Sequence, residues 1–376
     1  MKTTLHIIEQ LADYGGTPRV LLNLAARHDK TTNKMVIATY MPSALQSQFE
    51  HYGVEVHNFN SLVLAKLIWK IVKLARRRGA TVICTHHTRP LVIGYFVARL
   101  SGLPLLHHEH CSADYRKGFG NYLARISLPA ADAVVCNSLH TAETVIKAYK
   151  VAREKIHVLY NPVEKRLCSD DRLTIRRRIG VASDAIVIGH VGGMIETRDQ
   201  ATLIKAFQRY HSVNPNSCLV LIGDGPLRKD LEEVASKGGT YDAIRFIGYT
   251  DQVGDYLNAM DIYVNPTLDE GFGIAVVEAM LARIPVVLAD AGAHPELIDE
   301  GHTGLLYPGG NVEALTDTFF LLTREPALRN RMIVEAERAA HTRYTPARYA
   351  HGFEDIMANV LAHHGKRCAR VDRSVC

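Results

Sequence analysis

Short apolar runs alternate with longer amphipathic stretches along the whole chain. Runs at residues 5–8, 35–39, 54–58, 81–85, 103–107, 133–137 and 156–160 predict seven strands in the first half. Runs at 185–191, 218–222, 244–247, 262–265, 285–289 and 304–307 predict six more in the second. Most are continuous and rich in Val and Ile, which suits strands covered on both faces, as in a parallel sheet. Between them, residues 18–27, 62–78, 139–149, 203–211, 227–235, 273–281 and 312–322 carry helical periodicity. Repeated strand–helix alternation predicts an α/β, doubly wound architecture. The alternation pauses near residues 163–182, behind Pro162 and through a charge-rich stretch, and then restarts. The expected domains are therefore a Rossmann-like unit over 1–168 and a second over 180–345, facing each other. Residues 346–376 follow as a helix returning toward the first unit, with a frayed end from residue 366.

Composition narrows the class. A chain of 376 residues is too long for one ordinary core. Its 47% hydrophobic and 22% charged residues exclude a disordered chain, and 27 Gly and 14 Pro without a period exclude a fibrous one. The most apolar stretch, 90–106, is broken by Arg99 and Pro104 and falls short of the roughly 20 apolar residues of a spanning helix. Residues 1–8 read directly into a strand, without the pattern of a signal peptide. The seven Cys form no C-x-x-C pair, and apolar neighbours flank Cys84 and Cys136. Reduced, buried thiols in a cytoplasmic protein are expected. Residues 1–170 hold 22 basic against 12 acidic side chains, and the remainder 22 against 27. Halves of opposite sign predict two domains with different partners.

Ligands of doubly wound sheets bind beyond the carboxyl ends of the strands, so residues just after strands carry the chemistry. After the first strand comes Asp13-Tyr14-Gly15-Gly16-Thr17-Pro18. Gly15 and Gly16 allow a tight turn and close backbone approach. Thr17 is the expected N-cap and Pro18 the first helical position, making an anion site at the helix start. A second loop, Leu268-Asp269-Glu270-Gly271-Phe272-Gly273, opens a helix that carries Glu278 among Val276, Val277 and Ala279. A carboxylate on so apolar a helix is costly unless it is paired or hydrogen-bonded. Ligand hydroxyls, such as those of a ribose, would satisfy it.

This spacing, Glu270 and Glu278 around Gly271-Phe272-Gly273, resembles the signature of the retaining glycosyltransferases of family 4, which have the GT-B fold. Five further segments agree in order: Gly15-Gly16, Ala131–Ser138, Val158–Val163, Val191-Gly192-Gly193 through Arg198, and Leu221–Pro226. The resemblance implies a UDP- or GDP-linked sugar as donor, with no cofactor; no metal is expected, because no Asp-x-Asp lies between the halves and protein groups meet the charge. It implies that Glu278 holds the ribose, that Glu270 lies by the sugar, and that Arg198 binds the diphosphate where the family usually has Lys. The amides of Gly16, Phe272 and Gly273 would contact sugar or diphosphate. Gly193 stands where the family often has Arg, and Pro162 where it usually has Gly. Transfer with retention, by same-face attack with the donor phosphate taking the acceptor proton, is the implied chemistry. A nucleotide-sugar epimerase of the same architecture and a non-catalytic membrane-associated assembly component remain as alternatives.

Leu105-Leu106-His107-His108-Glu109-His110 ends another strand. Alternation puts His108 and His110 on one face, and two ligands from one strand make a poor zinc site without a third, so no metal is expected. Families similar to this one place a His here against the donor sugar, which by spacing is His110. His86 and His87 could line the acceptor side. Finally, Lys66, Lys70, Lys73 and Arg77 recur at helical spacing beside Leu64, Leu67, Ile68, Ile71, Val72 and Leu74. Such a basic amphipathic helix suits the anionic cytoplasmic face of a membrane, with a lipid-linked or lipopolysaccharide-type acceptor. Aromatics are not interleaved with the cations, which argues against nucleic acid.

Overall fold

The computed structural model describes residues 1–12, 15–110 and 119–373. Asp13 and Tyr14 of the glycine loop, and Cys111 and Cys376, lie outside the described residues.

The chain forms two compact units, Met1–Pro162 with Pro346–Cys376, and Val163–Thr345. The first unit is built on β1 (Lys2–Ile7), β2 (Asn33–Thr39), β3 (Glu55–Asn58), β4 (Val82–His86), β5 (Leu105–Glu109), β6 (Ala133–Cys136) and β7 (Ile156–Val158). They form one sheet of order β3-β2-β1-β4-β5-β6-β7, parallel throughout. Its helices are α1 (Gly16–Arg27), α2 (Gln46–His51), α3 (Leu64–Arg78), α4 (Thr88–Ser101), α5 (Phe119–Ser127) and α6 (Leu139–Tyr149).

The second unit opens with α7 (Arg172–Arg178). Its strands are β8 (Ile186–Val191), β9 (Ser217–Ile222), β10 (Ile244–Gly248), β11 (Ile262–Asn265), β12 (Val286–Ala289) and β13 (Leu305–Tyr307). They make a second parallel sheet of order β10-β9-β8-β11-β12-β13. Around it lie α8 (Gln200–Val213), α9 (Arg228–Lys237), α10 (Val253–Ala259), α11 (Ile274–Leu281), α12 (His294–Leu297), α13 (Val312–Arg324) and α14 (Pro326–Arg343). The last helix, α15 (Pro346–Arg373), belongs to the first unit. There Glu354 accepts from the Asp29 amide at 3.0 Å and from Asn33 Nδ2 at 3.1 Å.

All thirteen expected strands are present, and they are apolar for the expected reason. β4 and β9 are buried at every position, because helices cover both faces of each sheet. Each sheet has its own core. One gathers Leu5, Ile83, Ile93 and Val134, and the other Ile188, Phe207, Val264 and Phe319.

Four details differ from the sequence reading. Residues 163–168 go with the second unit: the Val163 amide donates to Tyr344 O at 2.8 Å and Cys168 Sγ to Gly254 O at 3.3 Å. The charge-rich pause is itself helical as α7. Two of its cations are engaged within the second unit, Arg172 and Arg176 both pairing with Asp261, while Arg177 and Arg178 are exposed. Cys168 is exposed, unlike the buried Cys84, Cys136 and Cys218. The helix of residues 346–373 continues through the stretch expected to fray, and Ser374, Val375 and Cys376 lie outside the described residues.

Candidate functional site

Both sheets reverse their strand order at the centre, between β1 and β4 in one unit and between β8 and β11 in the other. Loops leaving the carboxyl ends of such neighbours diverge and open a crevice there. Gly15 and Gly16 follow β1 and His110 follows β5. Arg198 follows β8, and Glu270 to Gly273 follow β11.

In the second unit, Arg198 closes a single 3-10 turn, Glu196–Arg198, and reaches across the switch point. Its Nη1 donates to Thr267 Oγ1 at 3.2 Å and forms an ion pair with Glu270. Thr267 in turn donates to Asn265 Oδ1 at 2.6 Å. The Leu268 amide donates to Thr197 O at 2.9 Å, so the two loops are also joined through their backbones. From the other side, the Ala293 amide donates to Glu270 O at 2.9 Å. Gly292 adopts φ 57°, and a Cβ there would stand 2.5 Å from the Glu270 nitrogen. Only glycine permits that approach. Glu270 is therefore gripped on both flanks, while the Arg198 and Glu270 side chains keep 28% and 12% of their exposure.

Gly273, in the left-handed region, caps α11, and no side chain caps that helix. Phe272 is buried and packs edge-on against Tyr344, ring centroids 5.5 Å apart. Its ring thus anchors the loop, leaving a ligand-facing role to the backbone. Glu278 is 5% exposed. Burial pushes its carboxyl above the usual range, and the guanidinium of Arg166, which donates from Nε at 2.6 Å, opposes that shift. The expected pairing of this costly carboxylate is met inside the chain, by a residue 112 positions away.

In the first unit, α1 starts at Gly16 and its N-cap is Gly15, at φ 84°. Thr17 is not the cap: it lies inside the first turn and is buried, because the helix begins two residues earlier than the hydroxyl suggested. The parallel register pairs His86 of β4 with His108 of β5. His110 follows one face-repeat later. His86 Nδ1 lies 3.0 Å from His110 Nε2, and His86 Nε2 lies 3.0 Å from His6 Nδ1. The Tyr349 hydroxyl of α15 meets His108 Nδ1 at 3.1 Å. Burial holds His86, His108 and His110 well below the usual imidazole range, with neighbouring imidazoles adding to the effect. His107 points to the opposite face, against Thr85 Oγ1 at 2.9 Å. His87 sits at φ 69°, ψ 170°, a backbone state that costs about 1–3 kcal/mol in a non-glycine residue. The expectation of only two histidines on a shared face needs correction. Strand register, which sequence does not reveal, adds His86, and one ring nitrogen from each of the three lies within 4.8 Å of the other two.

Helix α3 buries Leu67, Ile71, Val72, Leu74 and Ala75. Lys66, Lys73 and Arg77 are exposed and Lys70 is half-buried, its Nζ 5.7 Å from the Phe59 ring. Leu64, expected on the packed face, is exposed with Leu62, Val63 and Trp69. The cations therefore sit beside an uncovered apolar strip at the helix start. No helix among the described residues is long and apolar enough to cross a membrane.

Arg166, Thr267, Gly292, His6 and Tyr349 were not singled out from sequence. None has a local signal, because each acts on a partner supplied by another strand or helix.

Two family models match the chain: "Glycosyltransferase Family 4" over residues 14–166 and "Glycosyl transferases group 1" over residues 171–339. The chain is 24% identical to EpsF of Bacillus subtilis over 310 residues, covering 77% of this chain and 79% of that protein. It is 26% identical over 313 residues to a D-inositol 3-phosphate glycosyltransferase of Streptomyces avermitilis, covering 73% and 66%. Its fold is similar to that of Anabaena HepE solved with UDP and glucose, with TM-score 0.85, 22% identity, and coverage of 95% and 100%.

Proposed function

Because the chain belongs to the family 4 glycosyltransferases of GT-B architecture, we propose that it moves a sugar from a nucleotide-sugar donor to a hydroxyl acceptor with retention of configuration. The observation that carries this reading is the Arg198–Glu270 pair across the β8/β11 switch point, with Glu278 buried in the helix that follows the same loop. Arg198 offers a planar, permanently charged fork for the donor diphosphate. Backbone amides at Gly273 add positive potential at the start of α11. Glu278 receives the ribose hydroxyls, and Glu270 lies beside the sugar. In the first unit, the family resemblance assigns His110 and the amides of Gly15 and Gly16 to the donor.

In the reaction, the bond between sugar C1 and the diphosphate oxygen breaks while the acceptor oxygen bonds to C1 on the same face. The acceptor proton passes to the departing diphosphate. Negative charge grows on that diphosphate, so Arg198 and the amides stabilise the transition state more than the ground state. Removing one such donor is worth about a hundredfold in rate. The diphosphate's charge is met by protein groups in this scheme.

The donor is UDP- or GDP-linked, and HepE, solved with UDP and glucose, makes UDP-glucose the first to test. The test is to incubate the protein with a panel of nucleotide sugars, with and without membrane lipid extract, and follow free nucleotide. Acceptor-dependent release is expected. Isomerised sugar without release would instead mean an epimerase, and binding without turnover a non-catalytic component.

The acceptor in this reading is a glycan or lipid-linked sugar of cell-surface polysaccharide or lipopolysaccharide type, met at the cytoplasmic membrane face. The support is α3, where Lys66, Lys70, Lys73 and Arg77 flank exposed Leu62, Val63, Leu64 and Trp69. Each cation near an anionic surface is worth about 1 kcal/mol. Trp69 is the single Trp of the chain, so its fluorescence reports this helix alone. Phosphatidylglycerol vesicles should shift its emission to the blue, and neutralising the four cations should abolish the shift. A shift that survives neutralisation refutes the membrane assignment.

A further inference from the structure

We propose that His86, His108 and His110 form a binding site for a divalent first-row transition metal, with Zn2+ the best fit, at the carboxyl ends of β4 and β5. The three offer one ring nitrogen each, all within 4.8 Å of one another. Zinc takes imidazole nitrogen at about 2.0–2.1 Å, which sets tetrahedral nitrogens roughly 3.4 Å apart. His86 Nδ1 and His110 Nε2, hydrogen-bonded at 3.0 Å, need to open by only about a few tenths of an ångström to reach that spacing. Tyr349 takes His108 Nδ1, which leaves Nε2, buried and without a hydrogen-bond partner, to act as the third ligand. A buried imidazole nitrogen left unsatisfied is costly, and an ion removes the cost.

The surroundings fit a metal as well as the ligands do. Metal-bound imidazoles usually fix their orientation by hydrogen-bonding the second ring nitrogen. His108 Nδ1 has the Tyr349 hydroxyl at 3.1 Å, and His86 Nε2 has His6 Nδ1 at 3.0 Å. Borderline nitrogen donors without a carboxylate in the set favour Zn2+ over Mg2+ or Ca2+. Three protein ligands leave a fourth position for water or a small anion. With Nε2 of His110 on the ion, its proton resides on Nδ1. The ion would tie β4 and β5 together. The site is made wholly of first-unit residues; it shares His110 with the donor assignment above but does not rest on that reading.

The experiment uses the untagged full-length chain, stripped with EDTA, reloaded with Zn2+ and passed through gel filtration before elemental analysis. One Zn2+ per chain is expected in the wild type and in His351→Gln, an exposed control. His108→Gln and His110→Gln should each lower affinity at least tenfold, read by competition with a chromogenic chelator. Cobalt(II) loading should give the intense visible absorption of a tetrahedral site and lose it in the same variants. Circular dichroism checks folding. Should His108→Gln fail to fold, the half-exposed His110→Gln decides. No retained Zn2+, or equal retention in the wild type and His110→Gln, overturns the proposal and leaves a chain of hydrogen-bonded neutral imidazoles.

Discussion

Glu278 and Arg166 form a pair that either serves the donor or only holds the fold, and the two roles separate in a matched set of variants. Glu278→Gln keeps the shape and removes the charge. If the carboxylate accepts ribose hydroxyls, its loss removes charge-assisted hydrogen bonding worth about 1.5–3 kcal/mol, or about 10- to 150-fold in UDP affinity. Arg166→Gln leaves Glu278 buried without its cation. Breaking a buried pair from one side costs about 3–5 kcal/mol, and the lower end applies because Arg166 keeps a fifth of its exposure. For a domain of this size, that predicts a fall in Tm of roughly 6–12 °C. Burial already raises the Glu278 carboxyl, and removing Arg166 raises it further. A raised folded-state value contributes stability below the unfolded carboxyl range and loses it as pH rises through the folded value. The Arg166→Gln deficit should therefore be larger at pH 8 than at pH 5. The assay is calorimetric UDP titration at pH 8, with thermal melts at both pH values. Glu278→Gln should lose UDP affinity far out of proportion to its loss of Tm, and Arg166→Gln the reverse. Unchanged UDP affinity in Glu278→Gln, with Tm losses alike in both variants, would refute the ribose assignment.

Three further outcomes follow from the same unit. Glu270→Gln frees Arg198 from its carboxylate, so UDP should bind several-fold more tightly while turnover falls; weaker UDP binding would contradict the assignment of Arg198 to the diphosphate. Gly292→Ala forces a Cβ to within 2.5 Å of the Glu270 backbone and should cost about 1–3 kcal/mol, with a larger loss in activity than in Tm; wild-type behaviour in both would show that the Glu270 loop yields freely. Burial lowers His190 to about 4 despite its hydrogen bond to Val264 O, so the native state resists a proton that the unfolded chain takes. Its contribution is present above pH 6.5 and lost as pH falls toward 4, at about 1.4 kcal/mol per pH unit. Urea melts of His190→Gln should show a slope against pH reduced by that amount over this window, and an unchanged slope would refute it.

The sequence made the strands legible because burial on both faces writes each one as an uninterrupted apolar run. Helix α4 did not stand out within its run. It is buried at Leu91, Val92, Ile93, Val97 and Ala98, so no polar face marks its period. A Cβ on its Gly94 would lie 2.2 Å from Thr85 Cγ2, which shows how closely it packs on β4. Helix α7 was obscure for the opposite reason: its charges mark the stretch only as a pause between domains, yet Arg176 is fully buried against Ala185 O, Ala259 O and Asp261. The candidate site divides the same way. Glu270 and Glu278 share one loop and helix, so their spacing is visible in the chain. Arg166 meets Glu278 across 112 residues, and His86 meets His108 only through the β4–β5 register. Neither relation exists before folding.

The free enzyme's ion pairs also constrain how a donor would enter. Arg198 is already engaged by Glu270, so a diphosphate would arrive by exchange rather than by filling an uncompensated charge. A unit charge pair at about 4 Å is worth roughly 4 kcal/mol near a protein surface. Under the proposed assignment, the diphosphate would bring more than one negative charge and so compete with a single carboxylate for the same guanidinium. The carboxylate so released stays beside the site, because its backbone is held from Ala293 and crowded by Gly292. In the proposed reaction, binding the donor's phosphates and presenting a free carboxylate to the donor's sugar would then be one event. Such a coupling would need a loop pinned through its main chain, as Ala293 and Gly292 pin Glu270, with only the side chain exchanging partners.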